Sequence, residues 1–270
     1  MKPTKNKVAT PTAVATPVEP SSDIDWSTYA GAVTGFENMT QDDLGIPLLS
    51  IIQPKSPEVD RTHKDYPTKA IVGAGAGDIF NTVSRKVIAS FGKSVAVVPC
   101  GYERTFVEWK PRASGGGIVR VHRNAKILEE ITGRDDKGKD VLRNGNNLAT
   151  TGVFYVLVLQ DGEKPLQAVI NMTSTQLKHA RFWMNLMTGL RVGPNKVVPP
   201  MFSHSYNLSS IIEQNDQGSW YGWKIEVKEM VKARDLIEQG QRICQQVAVA
   251  TRPQLRAPAP DAPADDEVPM

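Results

Sequence analysis

Residues 152–171 read GVFYVLVLQDGEKPLQAVIN. Two runs rich in β-branched and aromatic residues, 152–160 and 167–171, flank the turn chemistry of Asp161-Gly162, and each reads as a strand. Working outward, the same signal recurs at 78–83, 94–100, 105–109 and 118–122 upstream and at 201–213 and 219–227 downstream. Gly115-Gly116-Gly117 and Gln217-Gly218 supply further turns. Two segments carry helical spacing instead. Residues 174–188 place Leu177, Ala180, Met184 and Met187 on one face, and residues 228–249 set Met230, Leu236, Ile237 and Ile243 among mixed charges. No internal repeat is visible. Many short strands with a few helices predict a mainly β domain with helical additions, and an OB-fold-like β-barrel is the member of that class suited to nucleic acid.

The flanks differ in kind. Residues 1–22 (MKPTKNKVATPTAVATPVEPSS) have no periodicity and too little apolar surface to offset ordering entropy, which predicts a disordered N-terminal arm. Residues 252–270 (RPQLRAPAPDAPADDEVPM) predict a flexible acidic C-terminal tail on an extended Ala/Pro spacer. The folded domain is expected over 23–251. Within it, 35–53 begins with a helix-like turn capped by Thr40 and is broken at Pro47 and Pro54, as a short docking segment would be.

The chain has 270 residues, 40% hydrophobic and 23% charged, enough for a sizeable core. It has no run approaching the roughly 18 apolar residues of a membrane span and no apolar leader, so a cytosolic protein without a membrane partner is expected. Cys100 and Cys244 show no metal-site spacing and read as buried and reduced. The net charge is +3, but all 32 Lys and Arg precede residue 257 while Asp261, Asp265, Asp266 and Glu267 follow it. A basic body trails an acidic tip, a distribution that suits a polyanion partner.

Most catalytic motifs fail on inspection. The Gly73-Ala74-Gly75-Ala76-Gly77 run leads into a strand and not into a helix, and Gly92-Lys93-Ser94 has Val87 where a P-loop needs its first glycine. His63, His122, His179 and His204 are scattered, and Ser114 lacks a nucleophile-elbow context. Asp135, Asp136 and Asp140 sit in GRDDKGKD, which reads as a solvated hairpin loop without the ligand alternation of a calcium site. No catalytic residue, metal or cofactor is expected. A nuclease using Asp78, Glu108 or Asp135 is the enzymatic alternative.

Residues 102–126 interleave rings and cations. In a strand, Tyr102, Arg104, Phe106 and Lys110 share one side, with Val107 and Trp109 on the other. The reading assigns the first set, with Arg112, Arg120 and Arg123, to a groove where bases stack on rings and cations follow phosphates, and Trp109 to the core. The Gly-rich turn at 115–117 would allow close backbone approach. A second segment, SWYGWKIEVK (219–228), offers Trp220 and Lys224 outward, with Tyr221, Trp223, Ile225 and Val227 inward. A third is Arg181-Phe182-Trp183 with Lys178 one turn earlier. Core packing with peripheral charges is the alternative reading of each.

The tip Asp265-Asp266-Glu267-Val268-Pro269-Met270 resembles the C-terminal tip of bacterial and phage single-stranded DNA-binding proteins, with Met270 in place of their usual phenylalanine. The segments GFENMTQDDLGIPLLSIIQ, GDIFNT and YERTFVEWKPRASGGG resemble phage-encoded proteins of replication-gene neighbourhoods. The resemblance implies a protein that coats single-stranded DNA in the infected bacterial cytoplasm and recruits replication or recombination proteins through its tail, as a possible homo-oligomer. A recombination mediator or annealing protein, or a phage structural β protein, is the alternative.

Overall fold

The computed structural model describes residues 46–136, 138–216 and 218–251. The expected arm, the Thr40 cap and the tail with its acidic tip lie outside them. In chain order the strands are β1 (Leu49–Ile51), β2 (Ile79–Asn81), β3 (Val87–Ala89), β4 (Ser94–Trp109), β5 (Ile118–His122), β6 (Ile131–Arg134), β7 (Asp140–Leu142), β8 (Asn147–Leu159), β9 (Leu166–Thr173), β10 (His204–Asn215) and β11 (Gly218–Met230). The helices are α1 (Tyr66–Lys69), α2 (Leu177–Gly189) and α3 (Arg234–Thr251). The mainly β reading with helical additions holds.

The organising unit is the long antiparallel pair β4–β8, in register from Ala96↔Leu159 to Trp109↔Asn147. Residues 94–100 and 105–109, expected as separate strands, are one. Pro99, which cannot donate to a ladder, sits where the register shifts and is accommodated by that irregularity. Gly101 continues the strand because a close neighbour needs its bare backbone: a Cβ there would lie 2.8 Å from Val247 of α3. At one end β10 pairs with residues 94–97 of β4 and β9 with 151–158 of β8. At the other, β5 pairs with residues 106–109 of β4, and β7 with β8. The two ends thus share a spine but carry different neighbours.

Alternation along the spine supplies a core on each face. Val95, Val97, Phe154, Val156 and Val158 are buried with Ala180, Trp183 and Met187 of α2 and with the small sheet β1-β2-β3. Trp183 stacks on Phe154 at 4.5 Å and meets Tyr206 edge-on at 5.6 Å, contacts worth about 0.5–1.5 kcal/mol each beyond burial. Val98, Cys100 and Leu157 face the other way and are covered by Leu236 and Ile243 of α3. Cys100 is fully buried, and burial pushes its thiol up to about 12. A third, smaller cluster at the β5 end joins Phe106, Ile127, Leu142 and Leu148.

The ladder path runs β11-β10-β4-β8-β7-β6 without joining its ends, so the described strands form no closed barrel. The remaining gap is spanned by single contacts. Leu48 makes an isolated parallel bridge to Val169 of β9. Gln53, just past β1, accepts from the Tyr221 N–H at 2.9 Å and donates to the Tyr221 carbonyl at 3.0 Å. Gln176 donates to the same carbonyl at 3.0 Å and accepts from the Trp223 N–H at 3.3 Å. Two side-chain amides therefore satisfy the outward backbone groups of β11 where a neighbouring strand would.

One helix boundary also differs from expectation. Residues 228–230, assigned to the last helix, continue β11, with Met230 opposite His204, and α3 begins only at Arg234.

Candidate nucleic-acid interface

Local geometry along β4 sorts the first group of expected binding residues. The shared side of Tyr102, Arg104 and Phe106 faces α2 and the small third cluster, so the two rings turn inward. Tyr102 packs on Phe154 with centroids 4.9 Å apart, and Phe106 is 3% exposed. Trp109, assigned to the core, is instead 39% exposed. The assignments of Phe106 and Trp109 are corrected, while Tyr102 is half-buried against Phe154. The cover on the Phe106 side comes from the short 3-10 run Ala125–Glu130, which delivers Ile127, and from Leu142 of β7.

The cations of this ribbon fare differently. Arg104, Lys110 and Arg120 are exposed and, among the described residues, none forms an ion pair. Arg112 lies in the 3-10 turn Arg112–Ser114 at the ribbon's tip, followed by Gly115, Gly116 and Gly117, all at positive φ. Arg123 is committed to Glu103 at 3.3 Å, although its side chain remains 62% exposed. Glu103 and Glu108, the two acids of residues 102–126, are both buried. Glu103 also accepts from the Tyr155 hydroxyl at 2.7 Å, and burial, followed by this carboxylate, pushes that phenol up to about 12. Glu108 accepts from Asn146 (2.5 Å), Asn144 (2.8 Å) and His122 (2.8 Å). The Asn146 bond leads in holding the Glu108 carboxyl below its usual range, against the opposing effect of burial. The charges this ribbon presents to solvent are positive.

Its opposite face is apolar and open. Val107 pairs with Val121 and Trp109 with Ile118, and Val121 and Ile118 are 51% and 58% exposed.

The second and third groups meet, but around a carboxylate. Lys178 lies 2.6 Å from Glu213, His179 3.1 Å, and the Trp220 indole N–H donates to it at 2.8 Å. Burial alone would raise the Glu213 carboxyl, and the Lys178, Trp220 and His179 bonds outweigh it and lower it. Lys178 and Trp220 are thereby occupied, joining α2 to the β10–β11 hairpin. Arg181 is exposed, Lys224 pairs with Glu226 at 3.0 Å, and Trp183 is fully buried. Of the inward set, Trp223 and Ile225 are buried, whereas Val227 is 41% exposed where β11 runs past the core. Phe182, 49% exposed beside Arg181, is the accessible ring of the helix. Sequence spacing singled out its tripeptide but not which ring faces out.

The acids weighed for a nuclease do not converge. Asp78 accepts from the Gly75 and Phe91 amides, and Asp135 from Lys139 within the hairpin turn. Among the described residues no group of three His, Cys, Asp or Glu is placed to hold a metal. No described helix is long and apolar enough to cross a membrane.

An antiparallel spine flanked by helices, with a basic ribbon at one end, defines a class of architecture. The family follows from comparison: the chain belongs to the Pam3 phage gp34-like protein family, whose model matches residues 14–252, and is a phage protein. No curated protein and no solved structure matches it.

Proposed function

We propose that this phage protein is a non-catalytic single-stranded DNA-binding protein of the host cytoplasm, needing no cofactor, that coats strands exposed in replication or recombination. The observation that carries the reading is the charge of the β4–β5 ribbon: Arg104, Lys110 and Arg120 stand exposed without ion pairs among the described residues, while both neighbouring acids are buried and bonded. Such cations suit phosphates, and the accessible rings Trp109 and Phe182 replace Tyr102 and Phe106 as stacking platforms. In this reading the curled sheet is an OB-fold-like barrel left open beside β11. The tail residues Asp265, Asp266, Glu267, Val268, Pro269 and Met270 recruit replication or recombination proteins. The apolar face of Trp109, Ile118 and Val121 favours a second reading, a phage structural β protein that packs this face against another chain.

A gel shift with labelled oligo-dT and its duplex, at two salt concentrations, tests the first reading. Preference for the single strand, with affinity falling as salt rises and on Arg104→Ala or Arg120→Ala, is expected. Equal affinity for duplex, or no binding at low salt, overturns it.

A further inference from the structure

Arg120 and Glu108 stand directly opposite each other in the β4–β5 ladder. Cross-strand partners have Cβ atoms roughly 4.5–5.5 Å apart and share a face, and a guanidinium with a carboxylate is the strongest pairing such neighbours can make. Yet Arg120 makes no ion pair among the described residues. The reason lies on the far side of the carboxylate. One oxygen accepts from the side-chain amides of Asn144 and Asn146, and the other from Nε2 of His122. Both asparagines belong to an Asn-Gly-Asn turn between β7 and β8, held by Gly145 N–H to Leu142 and by Asn146 N–H to the Asn144 side chain, with Gly145 at φ +81. The turn therefore presents two amides to one buried carboxylate, while β5 supplies the imidazole.

We propose that Asn146, Asn144 and His122 are positioning residues that hold the Glu108 carboxylate away from Arg120 and so keep that guanidinium available to a phosphate group of single-stranded DNA. The inference rests on the reading of the ribbon as a single-strand surface. Glu108 contributes an acceptor that the turn and β5 need, without neutralising the surface above it. Removing His122, or both asparagines together, frees an oxygen to swing toward Arg120, and the ribbon loses one cation without any change in its own basic residues.

The test uses the full chain and labelled oligo-dT. The double variant Asn144→Ala/Asn146→Ala frees one carboxylate oxygen and His122→Phe the other, so two variants with different packing consequences report on the same carboxylate. Each is expected to flatten the slope of log affinity against log salt by about 0.7, the amount for one phosphate contact on a single strand, and to match Arg120→Ala. Adding Glu108→Gln to either variant should restore the wild-type slope, a rescue that a merely destabilised turn would not show. Side-chain NMR supplies a DNA-independent readout: the Arg120 Nε–H should become protected from exchange in the Asn144→Ala/Asn146→Ala and His122→Phe variants and lose that protection again with Glu108→Gln. Unchanged slope and unprotected Nε–H in both the folded Asn144→Ala/Asn146→Ala variant and the folded His122→Phe variant, or no rescue by Glu108→Gln, overturns the proposal. If the wild-type chain fails to bind oligo-dT, the single-strand reading fails, and the NMR comparison alone decides whether these residues keep Arg120 from Glu108.

Discussion

Replacing Phe106 by alanine separates a core ring from a groove ring. The side chain is 3% exposed and packs with Ile127, Leu142 and Leu148, with Ile131 at the margin. Phe→Ala in a core costs about 3–5 kcal/mol, with the lower end expected where neighbours can collapse into the space. This cluster is small and lies at the end of the spine, under a 3-10 run and short strands, so a loss of about 3 kcal/mol is expected. The loss should also be local. Hydrogen exchange should accelerate first through residues 118–148, while amides near Phe154 and Trp183 keep their protection. Urea unfolding measures the total, and oligo-dT affinity at a temperature where the variant is folded should stay near wild type. Trp109→Ala is the counterpart: a small stability change, with binding weakened by about 1–3 kcal/mol if a base stacks there. A Phe106→Ala protein of wild-type stability that loses a comparable part of its affinity would refute the inward placement of the ring.

Other perturbations test the packing and the buried charges. Tyr206 is fully buried, and its hydroxyl has no hydrogen-bond partner among the described residues; Tyr206→Phe should be neutral or stabilising by about 1 kcal/mol, and a clear drop in the denaturation midpoint would reveal a partner. Glu213 and Glu108 have lowered folded-state pKa values against an unfolded value of 4.5. Their contribution is complete above about that pH and is lost as pH falls through the folded values, because the unfolded chain then binds more protons. Stability measured from pH 5 downward should thus fall less steeply in Glu213→Gln than in wild type, and equal slopes would deny the lowered value. Gly101→Ala places a methyl within 2.8 Å of Val247 and should cost about 1–3 kcal/mol by displacing α3. A melting temperature equal to wild type would show that the helix yields freely.

The sequence exposed the strands more readily than their surroundings. Strand 118–122 has the expected bounds, and the runs around Asp161-Gly162 became β8 and β9. Alternation correctly grouped Tyr102, Arg104 and Phe106, but it is blind to which side will be covered. That depended on Ile127 and Leu142, from 3-10 and three-residue elements too short to show a period. Lys178 and Trp220 illustrate a second limit. Their residue types suit DNA, yet Glu213, 35 positions from Lys178, is within bonding distance only once α2 docks on the β10–β11 hairpin. Met230 marks a third, since its apolar spacing fits a helix while its ladder partner His204 lies far back in the chain.

The Gln53 bonds to Tyr221 have a kinetic consequence. They join positions 168 residues apart, and closing a flexible loop of that length costs about 4.5 kcal/mol of chain entropy, beyond a constant, before any contact offsets it. The β8–β9 turn, by contrast, closes over a few residues. Assembly should therefore begin in the spine and leave the β1–β11 seam until β10, β11 and α2 have already shortened the effective loop. A Gln53→Ala protein should fold at nearly the wild-type rate and unfold faster, because a contact made after the barrier is felt on the way out and not on the way in.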